Sequence, residues 1–263
     1  MIMARFYPLF SSSQGNVSYI GDEHGGILID AGVSCKRIVT ALEDNGISPS
    51  AVKGVFITHT HSDHVAGLKV FTKKYKIPVF AQKTNLSILA DSDRISAEVR
   101  TFCIEEGEAE VGGFCVSHFA TPHDTPASCG YRVCCPDGKI AVTCTDLGNV
   151  TPEVDISLEG ADMVLLESNY DEQMLRNGSY PYVLKQRIAS AHGHLSNSDC
   201  GKQLKKLAEN GTCRFVLGHL SQENNTALVC ERSALSALSE YSRNRDYTLD
   251  IALPQGFGKA VIF

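Results

Sequence analysis

The segment Thr58-His59-Thr60-His61-Ser62-Asp63-His64, directly after the apolar run Val55-Phe56-Ile57, constrains this chain more than any other. It puts four metal-binding side chains within six residues at the end of a predicted buried strand. An extended chain carries alternate residues on one face, so His59 and His61 point the same way. Asp63 and His64 fall where the chain turns into a helix, and they point elsewhere. Three imidazoles and a carboxylate have little reason to converge unless a cation neutralises and orders them. The spacing therefore predicts a metal site rather than a patch of solvated histidines. Neither His59 with His61 nor Asp63 with His64 closes a coordination shell, so more ligands are required.

Three later segments each end an apolar run on a candidate ligand. Phe119-Ala120-Thr121-Pro122-His123-Asp124 supplies His123, Val142-Thr143-Cys144-Thr145-Asp146 supplies Asp146, and Phe215-Val216-Leu217-Gly218-His219 supplies His219. Singly, each reads equally as a solvated histidine or a loop cap. Jointly they fit one missing shell.

Short β-like runs alternate with helical stretches throughout, which favours a layered α/β domain. The pattern predicts strands at 5–9, 16–20, 27–30, 55–58, 78–81, 114–119, 131–135, 140–145, 163–167, 214–217, 247–252 and 259–262. Helices are predicted after a Ser34 cap, with Ile38, Val39 and Leu42 on one face, and at 68–75, 85–89, 197–209 and 227–241. In the last of these, Leu228, Leu235 and Leu238 are expected to face the core. With no linker, repeat or low-complexity tract, residues 1–263 read as one domain.

No apolar run reaches the roughly 20 residues that cross a bilayer. The first residues lack the features of a secretory signal. Ten cysteines without a Cys-x-x-Cys pair suit small buried apolar residues in a reducing compartment. A cytoplasmic protein with no membrane association and no stable protein partner is the expectation. The net charge of −6 argues against passive coating of nucleic acid. It leaves room for a nuclease, whose bound cations supply a local positive field.

The cluster at 58–64, followed in order by His123, Asp146 and His219, resembles the metallo-β-lactamase superfamily. Asp30 in Ile27-Leu28-Ile29-Asp30-Ala31-Gly32 matches that superfamily's first motif. The resemblance implies a four-layer αββα sandwich with the site at one edge of the sheets. It assigns His59, His61 and His123 to one ion, Asp63, His64 and His219 to a second, and Asp146 to both. Zinc β-lactamases commonly carry a cysteine in the second position; an all-nitrogen and oxygen set admits manganese beside zinc.

Val164–Tyr170 is similar to a segment of tRNase Z and RNase J nucleases, and Ala191–Ser196 to one of tRNase Z. They imply that Glu167 orients His194 and that His194 serves the scissile phosphate or the departing oxygen. Over the whole chain the resemblance is to the bacterial YycJ/WalJ-like group, on Ser11–Tyr19, Leu165–Asp171, Gly193–Asn197, Leu217–Ser221 and Gly256-Phe257-Gly258. Asp146 and His219 are 219 − 146 = 73 residues apart, too short for an inserted cap domain of typical size.

The implied activity is metal-dependent phosphodiester hydrolysis, an exonuclease with DNA favoured over RNA. Two divalent ions would share the attacking hydroxide, and Asp63 would hold its proton. The rivals are a small-molecule ester, thioester, lactone or cyclic phosphodiester hydrolase on the same site, and a non-catalytic regulatory protein on this scaffold. Lys73, Lys74 and Lys76, and Lys202, Lys205 and Lys206, are candidates for tracking a nucleic-acid backbone. Tyr170, Tyr180 and Tyr182 are candidates for stacking on a terminal base.

Overall fold

The computed structural model describes residues 3–104, 107–255 and 259–263. Gly256-Phe257-Gly258 lie outside the described residues. Strands β1 (Arg5–Phe10), β2 (Val17–Asp22), β3 (Gly25–Ile29), β4 (Val52–Phe56), β5 (Val79–Ala81) and β6 (Thr101–Cys103) form one sheet with the final strand β14 (Val261–Ile262), in the order β14-β1-β2-β3-β4-β5-β6. The second sheet contains β7 (Ala109–Val111), β8 (Phe114–Ala120), β9 (Cys129–Cys134), β10 (Ile140–Cys144), β11 (Met163–Glu167), β12 (Arg214–Gly218) and β13 (Thr248–Ile251), in the order β13-β12-β11-β10-β9-β8-β7. Each sheet is antiparallel on one side and parallel on the other, with β3 to β6 and β10 to β13 running parallel.

The layers follow from strands that are apolar on both faces, as a doubly covered sheet requires. In β4, Phe56 points toward the other sheet while Val55 points outward; in β11, Met163 and Leu165 point inward while Val164 and Leu166 point outward. One apolar layer lies between the sheets and joins Phe6, Ile27, Phe56 and Phe80 to Val116, Tyr131, Met163 and Val216. A second joins Leu28, Val55 and Val79 to helices α1 (Cys35–Asp44), α3 (Leu68–Tyr75) and α4 (Lys83–Asp91), which follow the short α2 (Ser62–Val65) in the case of the last two. A third joins Val142, Val164 and Phe215 to α5 (Pro152–Leu158), α8 (Asn197–Glu209) and α9 (Ala227–Ala237). Helices α6 (Glu172–Asn177) and α7 (Tyr182–Ile188) lie on the connection from β11 to α8. Three apolar layers make four structural ones: an αββα sandwich.

Local chemistry matches most predicted boundaries. Ser34 accepts the Arg37 N–H to start α1, and Ser196 accepts the Asp199 N–H to start α8. Helix α9 departs from expectation. It ends at Ala237, and Leu228 is 54% exposed, the buried positions being Cys230, Ala234 and Leu238. The apolar stripe is thus offset from Leu228 and carried partly by small residues. Of the adjacent Cys134 and Cys135, the first ends β9 and is exposed, and the second, just beyond it, is buried.

The two sheets are knitted together where β4 ends. The Tyr131 hydroxyl, from the second sheet, donates to the Ile57 carbonyl at 2.6 Å, and the Cys129 N–H donates to the Thr58 carbonyl at 3.2 Å. Thr58 is therefore anchored from both layers. Gly32 secures the other side of the same loop. A Cβ there would sit 1.7 Å from the Asp63 carbonyl oxygen and 2.6 Å from the Asn16 nitrogen. Gly32→Ala is expected to lower stability by at least about 1–3 kcal/mol, because backbone rather than a flexible side chain must move. Thermal denaturation would register that as a lower Tm, and hydrolytic activity should fall with it, since Asp63 moves.

Candidate metal centre

The site lies outside the carboxyl ends of the parallel strands, where open α/β sheets place their ligands. Asp30 follows β3, Thr58 to His64 follow β4, His123 follows β8, Asp146 follows β10, Glu167 ends β11 and His219 follows β12. Asp30, Asp146 and His219 adopt left-handed backbone, with φ of 63°, 60° and 57°. Non-glycine residues rarely take this conformation, and where they do the surrounding structure must impose it. Here it turns each side chain back across its strand end.

All the candidate ligands predicted from the sequence meet at this edge. Ligand atoms of His59, His61 and His123 lie within 4.8 Å of one another, and so do those of Asp63, His64 and His219. Asp146 forms such a group with His59 and His64, and another with Glu167, His194 and His219, so it adjoins both sides. His59, His64, His123, Asp146 and His219 are buried, while His61 and Asp63 are partly open. His24 and His192 are exposed and lie outside the cluster.

Outer contacts fix which ring nitrogen faces the centre. His64 Nδ1 is 2.8 Å from Asp30 Oδ2, and Asp30 also accepts the Thr58 N–H and hydroxyl, each at 2.9 Å. A carboxylate only accepts, so Nδ1 carries the proton and Nε2 faces Asp63 and Asp146, 3.4 Å from each. His219 Nδ1 is 2.7 Å from Glu167 Oε1, leaving Nε2 toward Asp146 Oδ1 at 3.6 Å. His123 Nδ1 donates to the Gly193 carbonyl at 3.1 Å. Such partners set tautomer and ring orientation in metal sites.

Glu167 does more than the sequence suggested. Its Oε1 meets His194 Nδ1 at 2.8 Å as well as His219 Nδ1, and its Oε2 accepts the Leu147 and Leu195 N–H groups, each at 3.0 Å. The carboxylate is fully buried. Burial alone would raise its pKa, but His194 and His219 outweigh burial and hold it down to about 2. The Glu167 carboxylate thus contacts two histidine rings and is closed to solvent.

The electrostatics call for positive charge. Burial opposes a charged His64, yet Asp30, Asp146 and Asp63 raise it well above the ordinary histidine value; Asp146, Asp63 and Glu167 likewise raise His219 to about 10. His59 moves the opposite way, lowered by burial and by the neighbouring His64. Four buried atoms of the cluster, Nε2 of His59, His123 and His219 and Oδ2 of Asp146, have no hydrogen-bond partner among the described residues. Buried polar atoms are paired in the great majority of cases, and leaving them bare is costly. Unpaired imidazole nitrogens and carboxylate oxygens directed at one another are the donor set of a divalent metal site, and the residues fit metal ions.

Several supporting residues lie in segments that carry the family resemblance, yet their contacts were not legible in the sequence. The Asn16 amide contacts Asp63 Oδ2 at 3.2 Å and His64 Nε2 at 3.0 Å; the Ser11 hydroxyl accepts the His219 N–H at 2.8 Å; Asn169 donates to the His219 carbonyl at 2.7 Å. Ser11 lies between β1 and β2, and only tertiary contact reveals its part.

A family model described as the metallo-beta-lactamase superfamily matches residues 12–219. The chain belongs to this superfamily. It is 34% identical over 237 residues to Exodeoxyribonuclease WalJ of Streptococcus pneumoniae serotype 2, covering 88% of this chain and 87% of that protein. It is 31% identical over 236 residues to Exodeoxyribonuclease YycJ of Bacillus anthracis, covering 89% of each. Among solved structures, the metallo-beta-lactamase fold protein YhfI from Bacillus subtilis shares the fold with a TM-score of 0.76 at 15% identity, over 100% of both chains. The short form of human tRNase Z shares it with a TM-score of 0.63 at 16% identity, over 98% of both. The chain is accordingly a metal-dependent hydrolase, and no helix among its described residues is long and apolar enough to cross a membrane.

Proposed function

We propose that residues 1–263 form a single hydrolase domain that degrades DNA from an end, using two divalent cations, zinc or manganese. His59, His61 and His123 would hold one ion, Asp63, His64 and His219 the other, with Asp146 between them. The observation that carries this reading is the set of unpaired, buried nitrogens and carboxylate oxygens turned toward one another at the strand ends. Two relatives named exodeoxyribonucleases, matched across nearly nine-tenths of this chain, support DNA as substrate. A cytoplasmic location accords with that substrate.

Cations at these residues supply Lewis acidity that makes water nucleophilic near neutral pH and neutralises charge on the phosphoryl oxygens. The chain's own groups do the rest. Asp63, partly open and held ionised by His219 and His64 against the effect of burial, accepts a proton from the attacking water. His194 is 21% exposed on its side chain, with Nδ1 fixed on Glu167, so its Nε2 is the atom available to the substrate. From there it donates a proton to the departing oxygen, and Glu167 stabilises the imidazolium before transfer.

His194→Ala is expected to keep its metal content and slow turnover about 10²–10⁴-fold, the range of a lost general acid. Metal analysis beside initial rates checks this; loss of metal would contradict the division of labour. The activity itself is tested with 5′- and 3′-labelled single- and double-stranded oligonucleotides in zinc or manganese. A ladder shortening from one end is the expected product. Hydrolysis of bis-p-nitrophenyl phosphate with every oligonucleotide left intact would instead favour a small-molecule hydrolase.

A further inference from the structure

Most lysines of the two basic clusters singled out in the sequence already have a partner on the protein surface. Lys73 pairs with Glu98, Lys202 with Asp199, Lys205 with Glu240 and Lys206 with Asp155, while Lys74 lies over the Tyr75 ring. A different surface has the required chemistry. A groove of about 470 Å³ between α6 and α7 is lined by Tyr170, Leu175, Arg176, Tyr182, Lys185 and Ala189, a size that accepts a small organic ligand. The Lys185 ammonium donates to the Arg176 carbonyl at 2.8 Å, and neither cation is paired with a carboxylate among the described residues. Glu172, one turn before Arg176, also lines the groove and forms no ion pair with it. Tyr182 is 74% exposed, so its ring contributes little to packing.

Both walls are continuous in the chain with segments that carry the metal centre. Helix α7 runs directly into the loop that carries His194. The His194 N–H donates to the Ile188 carbonyl at 2.9 Å, and a Cβ on Gly193 would sit 2.3 Å from the Arg187 carbonyl oxygen, so loop and helix end are packed tightly together. On the other wall, Tyr170 follows Glu167 by three residues, and its carbonyl accepts the Asn197 N–H at 2.9 Å.

We infer that this groove receives an unpaired nucleotide of the strand being cut, with Tyr182 stacked on the base and Arg176 and Lys185 facing its phosphate. The assignment rests on the nuclease reading above and narrows it. A base held in a duplex cannot reach a lateral ring, so the groove selects single-stranded or frayed ends.

The test uses metal-loaded protein and phosphorothioate-linked, fluorescently labelled single strands that resist cutting. Wild type should bind a strand with normal terminal bases about 5- to 150-fold more tightly than one with abasic terminal positions, the range of a lost base stack. Tyr182→Ala should bind both strands equally and weakly, and Tyr182→Phe should restore the difference. Arg176→Gln should weaken both strands alike and reduce the salt dependence of binding. Bis-p-nitrophenyl phosphate, too small to need the groove, should be hydrolysed by Tyr182→Ala at the wild-type rate. Equal discrimination by Tyr182→Ala and wild type, or none by wild type, would overturn the assignment. If wild type hydrolyses bis-p-nitrophenyl phosphate yet leaves unmodified oligonucleotides uncut, the nuclease reading fails by itself, and the binding comparison still decides the groove.

Discussion

Asp146→Ala should reduce hydrolysis by about 10³-fold or more, in keeping with or beyond the loss of a single electrostatic contact in an active site. The reason is position. Asp146 Oδ1 is 3.6 Å from His219 Nε2 and 3.7 Å from His123 Nε2, and its Oδ2 is 3.4 Å from His64 Nε2. No other carboxylate of the cluster faces histidines from both halves so closely. Its removal leaves imidazoles crowded together with less negative charge to hold cations. Metal content should fall along with rate, and Asp146→Asn should not rescue either, because the amide restores shape without charge. Steady-state rates and metal analysis on both variants check this; near-normal activity in Asp146→Asn would contradict it.

Glu167→Gln should carry the second-largest effect, and it should strike stability as well as turnover. All four groups facing the Glu167 carboxylate are donors: two ring nitrogens and two backbone N–H groups. A glutamine offers one acceptor oxygen and a donating NH₂, so at least one buried donor must face another donor. Breaking a buried charged network of this kind costs about 3–5 kcal/mol. Chemical denaturation should show a midpoint shift of that size. Turnover should fall further than in His194→Ala, since His219 loses its orientation along with His194. A Glu167→Gln protein that matched wild type in stability and His194→Ala in rate would mean that Glu167 serves His194 alone.

The sandwich was legible where residues announce themselves locally. Met163–Glu167 and Asn197–Glu209 coincide with their predicted limits, because an uninterrupted apolar run and a serine cap leave little alternative. Strands β6 and β7 were not foreseen. Each has three residues; β6 is exposed throughout, and the alternation of β7 is too short to mark a strand. Helix α5 has a start signal, Thr151 followed by Pro152, but its seven residues are too few for a helical apolar period to stand out. Strand β14 returns to pair with β1 in the first sheet, a long-range choice that no local pattern encodes.

The site divides in the same way. His59, His61, Asp63 and His64 are a local cluster, and His123, Asp146 and His219 could be found because each follows an apolar run. The contacts of Ser11, Asn16 and Asn169 could not, although all three lie in segments that carry the family resemblance. Ser11 meets His219 across 208 residues of sequence, and a serine in a Ser-rich turn gives no hint of that contact. The second role of Glu167 was hidden for a related reason. The sequence suggested a pair with His194, whereas only the parallel pairing of β11 with β12, which sets Glu167 beside Gly218, brings His219 to the same oxygen.

Metal content after saturating purified wild-type protein with zinc or manganese and removing the excess tests the central claim most directly. Binding of about two ions per chain, released together with hydrolytic activity by a chelator, is the result predicted for a dinuclear centre. A folded protein that retained no ion, or that hydrolysed phosphodiesters undiminished after complete removal of metal, would contradict it.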